Sequence, residues 1–212
     1  VDIHTSIAAA VAAFSVSGIV GTVVYSQRGT IQWIDFMSIS IGAVPGAFIG
    51  AYALPKINGQ LLTFFIAIAL LVSAVRQIRS NKMVDVDRPF REVSKHQMAL
   101  VGLVTGFFSV LSGTGGPLVL LPMLTWLSVP LVTAIGLSQA IQLPIAIFAT
   151  VGNEANNLVN WDLVLFLAIG LAIGSFIGAK LSKSLPVEHI KALVAFMLFG
   201  SGAYMIIALL LS

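Results

Sequence analysis

Charge is confined to the ends of apolar runs about twenty residues long, a length that matches the hydrocarbon thickness of a bilayer. Six segments have this character: A (2–24), B (33–54), C (61–78), E (132–152), F (161–181) and G (190–211). Two shorter apolar runs, 98–112 and 117–127, flank a Gly-rich break. Only 9% of the residues are charged, against about 25% in soluble domains. The pattern predicts an all-α polytopic membrane protein. It also excludes a nucleic-acid binder, because the basic residues sit beside apolar segments, as topology signals do. Without cysteine there is no thiolate metal site, disulfide or thiol catalysis. His4, His96 and His189 have no metal-ligand spacing, so neither a metal nor a cofactor is expected.

The break, Gly113-Thr-Gly-Gly-Pro117, cannot continue a helix: each Gly costs about 1 kcal/mol against Ala, and Pro lacks a donor. It predicts a helix ending near Ser112, a tight turn, and a second helix with Pro117 in its first turn. Unpaired N–H groups at such a start, with the positive end of the helix dipole, suit an anion. Irregular backbone at membrane depth is tolerated where it lines a cavity.

The chain repeats itself. An offset of 128 pairs Trp33 with Trp161, Gly42 with Gly170, Gly46 with Gly174 and Phe48-Ile-Gly-Ala51 with Phe176-Ile-Gly-Ala179. It continues to Ser73 and Ser201, and an offset of 132 sets Ser6 on Ser138. Segments A, B, C and E, F, G are therefore copies. This divides the chain into a first repeat (1–79), a linker (80–97) and a second repeat (98–212) that begins with the Gly-break hairpin. The second copy has 98–132 ahead of E, so the repeat predicts an equivalent segment upstream of Val1.

Charge sets the topology. The linker region, with Arg76, Arg79, Lys82, Arg88, Arg91 and Lys95, is expected inside. If 98–127 enters and returns as a hairpin, ten of the eleven Lys and Arg fall on the cytoplasmic side; a single crossing leaves seven. The hairpin makes the two copies inverted, and inverted repeats with broken helices are the architecture of secondary transporters.

Uncharged polar residues near the break are the candidate site. Ser138, Gln139 and Gln142 lie within about one turn of E, and two glutamines in an apolar span need a partner or a wet cavity. Helix–helix hydrogen bonding is the competing reading. The copy in A offers Thr5 and Ser6. With Thr114 and the backbone of Gly115 and Gly116 they form a donor-rich, charge-free setting for a small oxyanion. Pro144 opens E locally by freeing a carbonyl. The four-residue glycines of B and F are read as packing faces, and Asp35 and Asp162 as interfacial residues at helix starts. Glu154, Asn153, Asn156 and Asn157 are placed in the outer E–F loop. Ser112 has no histidine at span depth to activate it, so an enzyme is not expected.

Gly113-Thr-Gly-Gly-Pro117 with Pro122-Met-Leu124 and Ala134-Ile-Gly-Leu-Ser138 resembles the signature of the sulfite exporter TauE/SafE family. Arg28-Gly29, Trp33 and the Gly-rich segments B and F add to the likeness, which covers nearly all of the chain. Pro117 stands where the family commonly has a third consecutive Gly, and Leu137 replaces the usual Thr. The resemblance implies a carrier of two inverted halves in a bacterial inner membrane, moving sulfite, sulfonates or related sulfur-containing anions. Coupling to a proton or ion gradient and export are expected of such a carrier, and a homo-oligomer is compatible with it. By the resemblance, Gly113 to Pro117 and Ser138 are the site positions; Gln139, Gln142, Thr5 and Ser6 are added from their placement. An anion-selective channel and a non-transporting membrane assembly partner are the alternatives.

Overall fold

The computed structural model describes residues 2–79, 93–181 and 187–211; the linker positions 80–92 lie outside them. Among these residues the chain forms α1 (Ile3–Gln27), α2 (Trp33–Ala53, continued by a short 3-10 turn, Leu54–Lys56), α3 (Gly59–Arg79) and α4 (Lys95–Ser112). α5 (Pro117–Trp126), α6 (Leu131–Ala140), α7 (Gln142–Ala155), α8 (Trp161–Leu181) and α9 (Val187–Leu211) follow. The apolar runs thus become helices close to their expected bounds, and the Gly break falls between α4 and α5. Segment E differs: it is interrupted at Ile141, three residues before Pro144, which has no N–H to offer the Ala140 carbonyl. Three stretches are long and apolar enough to cross a membrane, Ile3–Gln27, Trp33–Lys56 and Val132–Ala155, the last bridging the Ile141 interruption. The protein is an all-α, multi-pass membrane protein.

The helices pack as two compact units, Val1–Lys56 with Val86–Ile173 and Ile57–Asp85 with Gly174–Ser212. In the first, α2 and α4 run parallel in the most extensive helix contact. Glycines make this approach feasible. A Cβ on Gly42 or Gly46 would land on the carbonyl oxygen of Ala99 or Leu103, and one on Gly102 or Gly106 on that of Ile39 or Ala43. Small residues that let backbones meet are how apolar helices associate in lipid, where burial of apolar surface gives no driving force. The glycines of α2 are therefore packing residues, as expected. At the same offset in α8, Gly170 and Gly174 have nothing among the described residues within 4 Å of a Cβ.

α1 lies antiparallel to α6 and α7. A Cβ on Gly18 would stand 2.7 Å from the Leu143 nitrogen, and one on Gly21 would stand 3.1 Å from Gln139 Cβ. α4 and α5 form a helical hairpin. Trp126 and Leu127, at the end of α5, line a small cavity together with Val93 and Gln97 at the start of α4. The second half of the hairpin thus returns to where the first began. α6 sets out from the same end, since Gly136 abuts Thr30 in the α1–α2 loop, and α7 finishes at the other end, where Gly152 abuts Ala51.

In the second unit, α3 packs on α9. Gly202 closes that contact, with Leu71 Cγ at 2.9 Å and the Ala67 carbonyl at 3.1 Å from a Cβ placed on it. Ala67, Ala74, Ala195 and Gly202 are all buried. The extensive contacts of α1 and α2 are with α4, α6 and α7, and those of α3 are with α9.

Candidate functional site

The α4–α5 turn is built from three left-handed glycines. Gly113, Gly115 and Gly116 have φ of 65°, 71° and 120°, values that L side chains rarely adopt. The last turn of α4 is closed by Gly113 and Thr114, whose N–H groups donate to the Val110 and Ser109 carbonyls at 3.3 and 3.2 Å. Ser112 Oγ donates to the Phe108 carbonyl at 2.7 Å and also meets Thr114 Oγ1 at 2.8 Å. Thr114 thus holds the turn together. α5 starts with Val119 and Leu120 both donating to the Gly116 carbonyl. This accounting leaves the N–H groups of Gly115, Gly116 and Leu118 with no acceptor among the described residues. Gly115 and Gly116 are buried. Buried, unpaired backbone donors are rare, and here they stand together at the positive end of a helix. A row of such donors in a left-handed turn is an anion-binding concavity.

Side chains close around it. Ile7 lies 3.7 Å from a Cβ on Gly113, and the Phe14 ring lies 2.9 Å from one on Gly115. At Gly116 the nearest atoms are Ile141 Cγ2 at 3.3 Å, Ile145 Cδ1 at 3.4 Å and Ser109 Oγ at 4.0 Å. The turn is therefore seated between α1 and the interruption of α6–α7, which unites two sequence-separated breaks in one place.

The polar residues expected at the site fall into two groups. Ser138 (1% exposed) and Gln142 (3%) are buried, and Ser138 Oγ and Gln142 Oε1 have no partner. Gln142 Nε2 donates to Gln139 Oε1 at 2.7 Å, so part of the glutamine pair is helix-internal bonding. Gln142 lies between Ile141 and Ile145, the two residues against Gly116. Thr5 and Ser6 are half-buried in the first turn of α1. Ser6 Oγ donates to the Asp2 carbonyl at 3.0 Å, and Ile7, next in the chain, is the residue that meets Gly113.

The sequence reading missed Thr105 and Ser109. Both are fully buried on α4, with hydroxyls that have no partner among the described residues. Their i,i+4 spacing just ahead of the break was the available signal. It also misplaced Asn153, which is not in an outer loop. Asn153 is 0% exposed within α7, and neither Nδ2 nor Oδ1 has a partner. The helix runs to Ala155, three residues further than the polar Asn-Glu cluster suggested, and Asn156 Nδ2 donates to the Gly152 carbonyl at 2.8 Å and ties down its end. No cluster of metal-ligating side chains occurs among the described residues.

A family model described as Sulfite exporter TauE/SafE matches residues 1–205. A probable membrane transporter protein of Bacillus subtilis, YdhB, is 23% identical over 203 residues, spanning 92% of this chain and 81% of its own length. A probable membrane transporter protein of Methanocaldococcus jannaschii, MJ0441, is 23% identical over 203 residues, spanning 91% of this chain and 75% of its own. No solved structure is a significant match.

Proposed function

The chain belongs to the sulfite exporter TauE/SafE family, and from that premise we propose that it is a secondary carrier of sulfite, a sulfonate or a related sulfur-containing anion. It exports this anion across the plasma membrane (the inner membrane in a bacterium) by alternating access. The observation that carries this reading is the row of unpaired buried N–H groups at Gly115 and Gly116, with the unpartnered Ser109 hydroxyl beside Gly116. Neutral donors in a protein-enclosed turn hold an oxyanion while leaving it free to depart, whereas a buried cation would grip it.

Two features support the rocking of inverted halves. Under the offset of 128, Ala67 corresponds to Ala195 and Ala74 to Gly202, and all four are the buried small residues of the α3–α9 pair. The antiparallel α1 and α6–α7, related by the offset of 132, form a second such pair. Pairing of a helix with its own sequence counterpart is what inverted repeats produce.

The test is a thermal-shift screen of the detergent-purified chain against sulfite, sulfate, thiosulfate, taurine and sulfoacetate. A ligand that binds only the folded protein at 100 times its dissociation constant stabilises by about 2.7 kcal/mol. Stabilisation by a sulfur oxyanion, lost in Gly115→Leu, supports the site. Stabilisation retained in both Gly115→Leu and Gly116→Leu refutes it. In proteoliposomes, slow saturable flux marks a carrier and steady unitary currents mark a channel.

A further inference from the structure

We propose that the species bound and moved is the monoprotonated, singly charged form of the oxyanion, such as hydrogen sulfite, so that the proton travels on the substrate. This rests on the oxyanion-carrier reading above and specifies its ligand. A fully ionised oxyanion presents only acceptors, and a site built for it offers only donors or cations. This site is different. Ser109 Oγ lies near Gly116, and α7, which meets Gly116 through Ile145, carries two side-chain amides with buried atoms that have no partner among the described residues, Gln142 and Asn153.

Asn153 is the clearest case. Both of its amide atoms lack a partner, so it presents a carbonyl acceptor whichever way the amide is turned. The register of α1 on α7 locates it. Gly21 faces Gln139 and Gly18 faces Leu143, which sets Asn153 opposite Ile7, and Ile7 is the residue against Gly113. At the other end of the turn, Gln142 brings a second buried amide with a free oxygen. A dianion would leave these acceptors unpaired and facing negative charge. A monoprotonated oxyanion satisfies one of them with its own O–H.

Charge points the same way. The cost of taking an ion out of water grows as the square of its charge, so a dianion costs about fourfold more to bury than a monoanion. Among the described residues, none of those against the turn glycines is a cation. The ionisable groups of the helices around the turn stand towards helix ends: Asp2, His4, Tyr25 and Arg28 on α1, Asp35, Tyr52 and Lys56 on α2 and its continuation, Lys95 and His96 on α4, and exposed Glu154 on α7. α5 and α6 carry none. A carrier of this kind needs no titrating side chain in the pathway to move a proton with its anion.

The experiment measures sulfite efflux from proteoliposomes containing the whole chain, at clamped potential, from mildly acidic to mildly alkaline pH. Flux per total sulfite is expected to follow the hydrogen sulfite fraction, falling roughly tenfold per pH unit above the second ionisation of sulfurous acid. His4→Gln should leave that profile unchanged, because His4 is the titratable residue nearest Ile7 in the chain and is not in the pathway. Asn153→Leu should slow hydrogen sulfite more than methanesulfonate, a monoanion with no proton to donate. Flux that is flat or rises with pH overturns the proposal and leaves the carrier reading standing, as does a profile that moves with His4→Gln. Equal slowing of the two anions by Asn153→Leu removes the amide from the argument and overturns the assignment. No flux of any sulfur oxyanion at any pH overturns the carrier reading itself.

Discussion

Replacing Gly42 with Ala adds one methyl group where the structure has no room for it. The new Cβ would overlap the Ala99 carbonyl oxygen and crowd the Ala99 carbonyl carbon and the Leu103 nitrogen. These are backbone atoms of a hydrogen-bonded helix and cannot rotate away as a side chain would. α2 and α4 must instead part by about 1 Å or more, and a gap of that size forfeits up to half of each contact along the seam. Overpacking of this kind costs about 1–3 kcal/mol. The repeat supplies the control. Gly170 occupies the equivalent position of α8 with nothing within 4 Å of a Cβ, so Gly170→Ala should be neutral or stabilise by up to about 1 kcal/mol through helix propensity. For a chain of this length the two variants should differ in melting midpoint by about 2–16 °C in detergent. Equal midpoints would show that glycine at Gly42 is not required for close packing, and would refute the account of the α2–α4 seam.

Ser112→Ala and Thr114→Val each break the 2.8 Å hydroxyl contact that braces the turn. A double-mutant cycle on thermal stability should show a coupling of about 0.5–1 kcal/mol, and additivity would deny the bond. Gly18→Ala drives a methyl against the Leu143 backbone, 2.7 Å away, and should destabilise by about 1–3 kcal/mol. Its effect should exceed that of Gly29→Ala, a loop position with open space whose φ of 66° is the only obstacle. Asp2 accepts from the His4 N–H at the start of α1, and its hydrogen bond to the His4 ring at 2.9 Å holds its carboxyl below the ordinary value of 3.8. A depressed folded-state pKa stabilises above the unfolded value and loses its contribution as pH falls through the folded one. Melting midpoints should therefore drop in that acid window, and Asp2→Ala should remove that part of the drop.

The sequence by itself determined the membrane class, the bounds of nearly every helix and the position of the turn. Each of these follows from local chemistry: apolar length against bilayer thickness, Gly and Pro against helix continuity. The repeat is a reading of the sequence alone, from glycine spacing and tryptophan positions. What α2 packs against was not legible. Glycines spaced by four residues occur in both α2 and α8, yet one set is enclosed by α4 and the other meets open space. Sequence gives the small face but not its partner.

The site divides in the same way. Gly113 to Pro117, Ser138 and Gln142 stood out as polar or helix-breaking residues in apolar runs. Thr105 and Ser109 did not, because a hydroxyl in a helix normally bonds the carbonyl one turn back, as Thr63 and Thr150 do. Only the tertiary structure leaves Thr105 and Ser109 without a partner and buries Asn153. Burial and hydrogen-bond satisfaction depend on which helices close around a residue. Those contacts join positions far apart in the chain, such as Gly116 with Ile141 and Ile7 with Gly113.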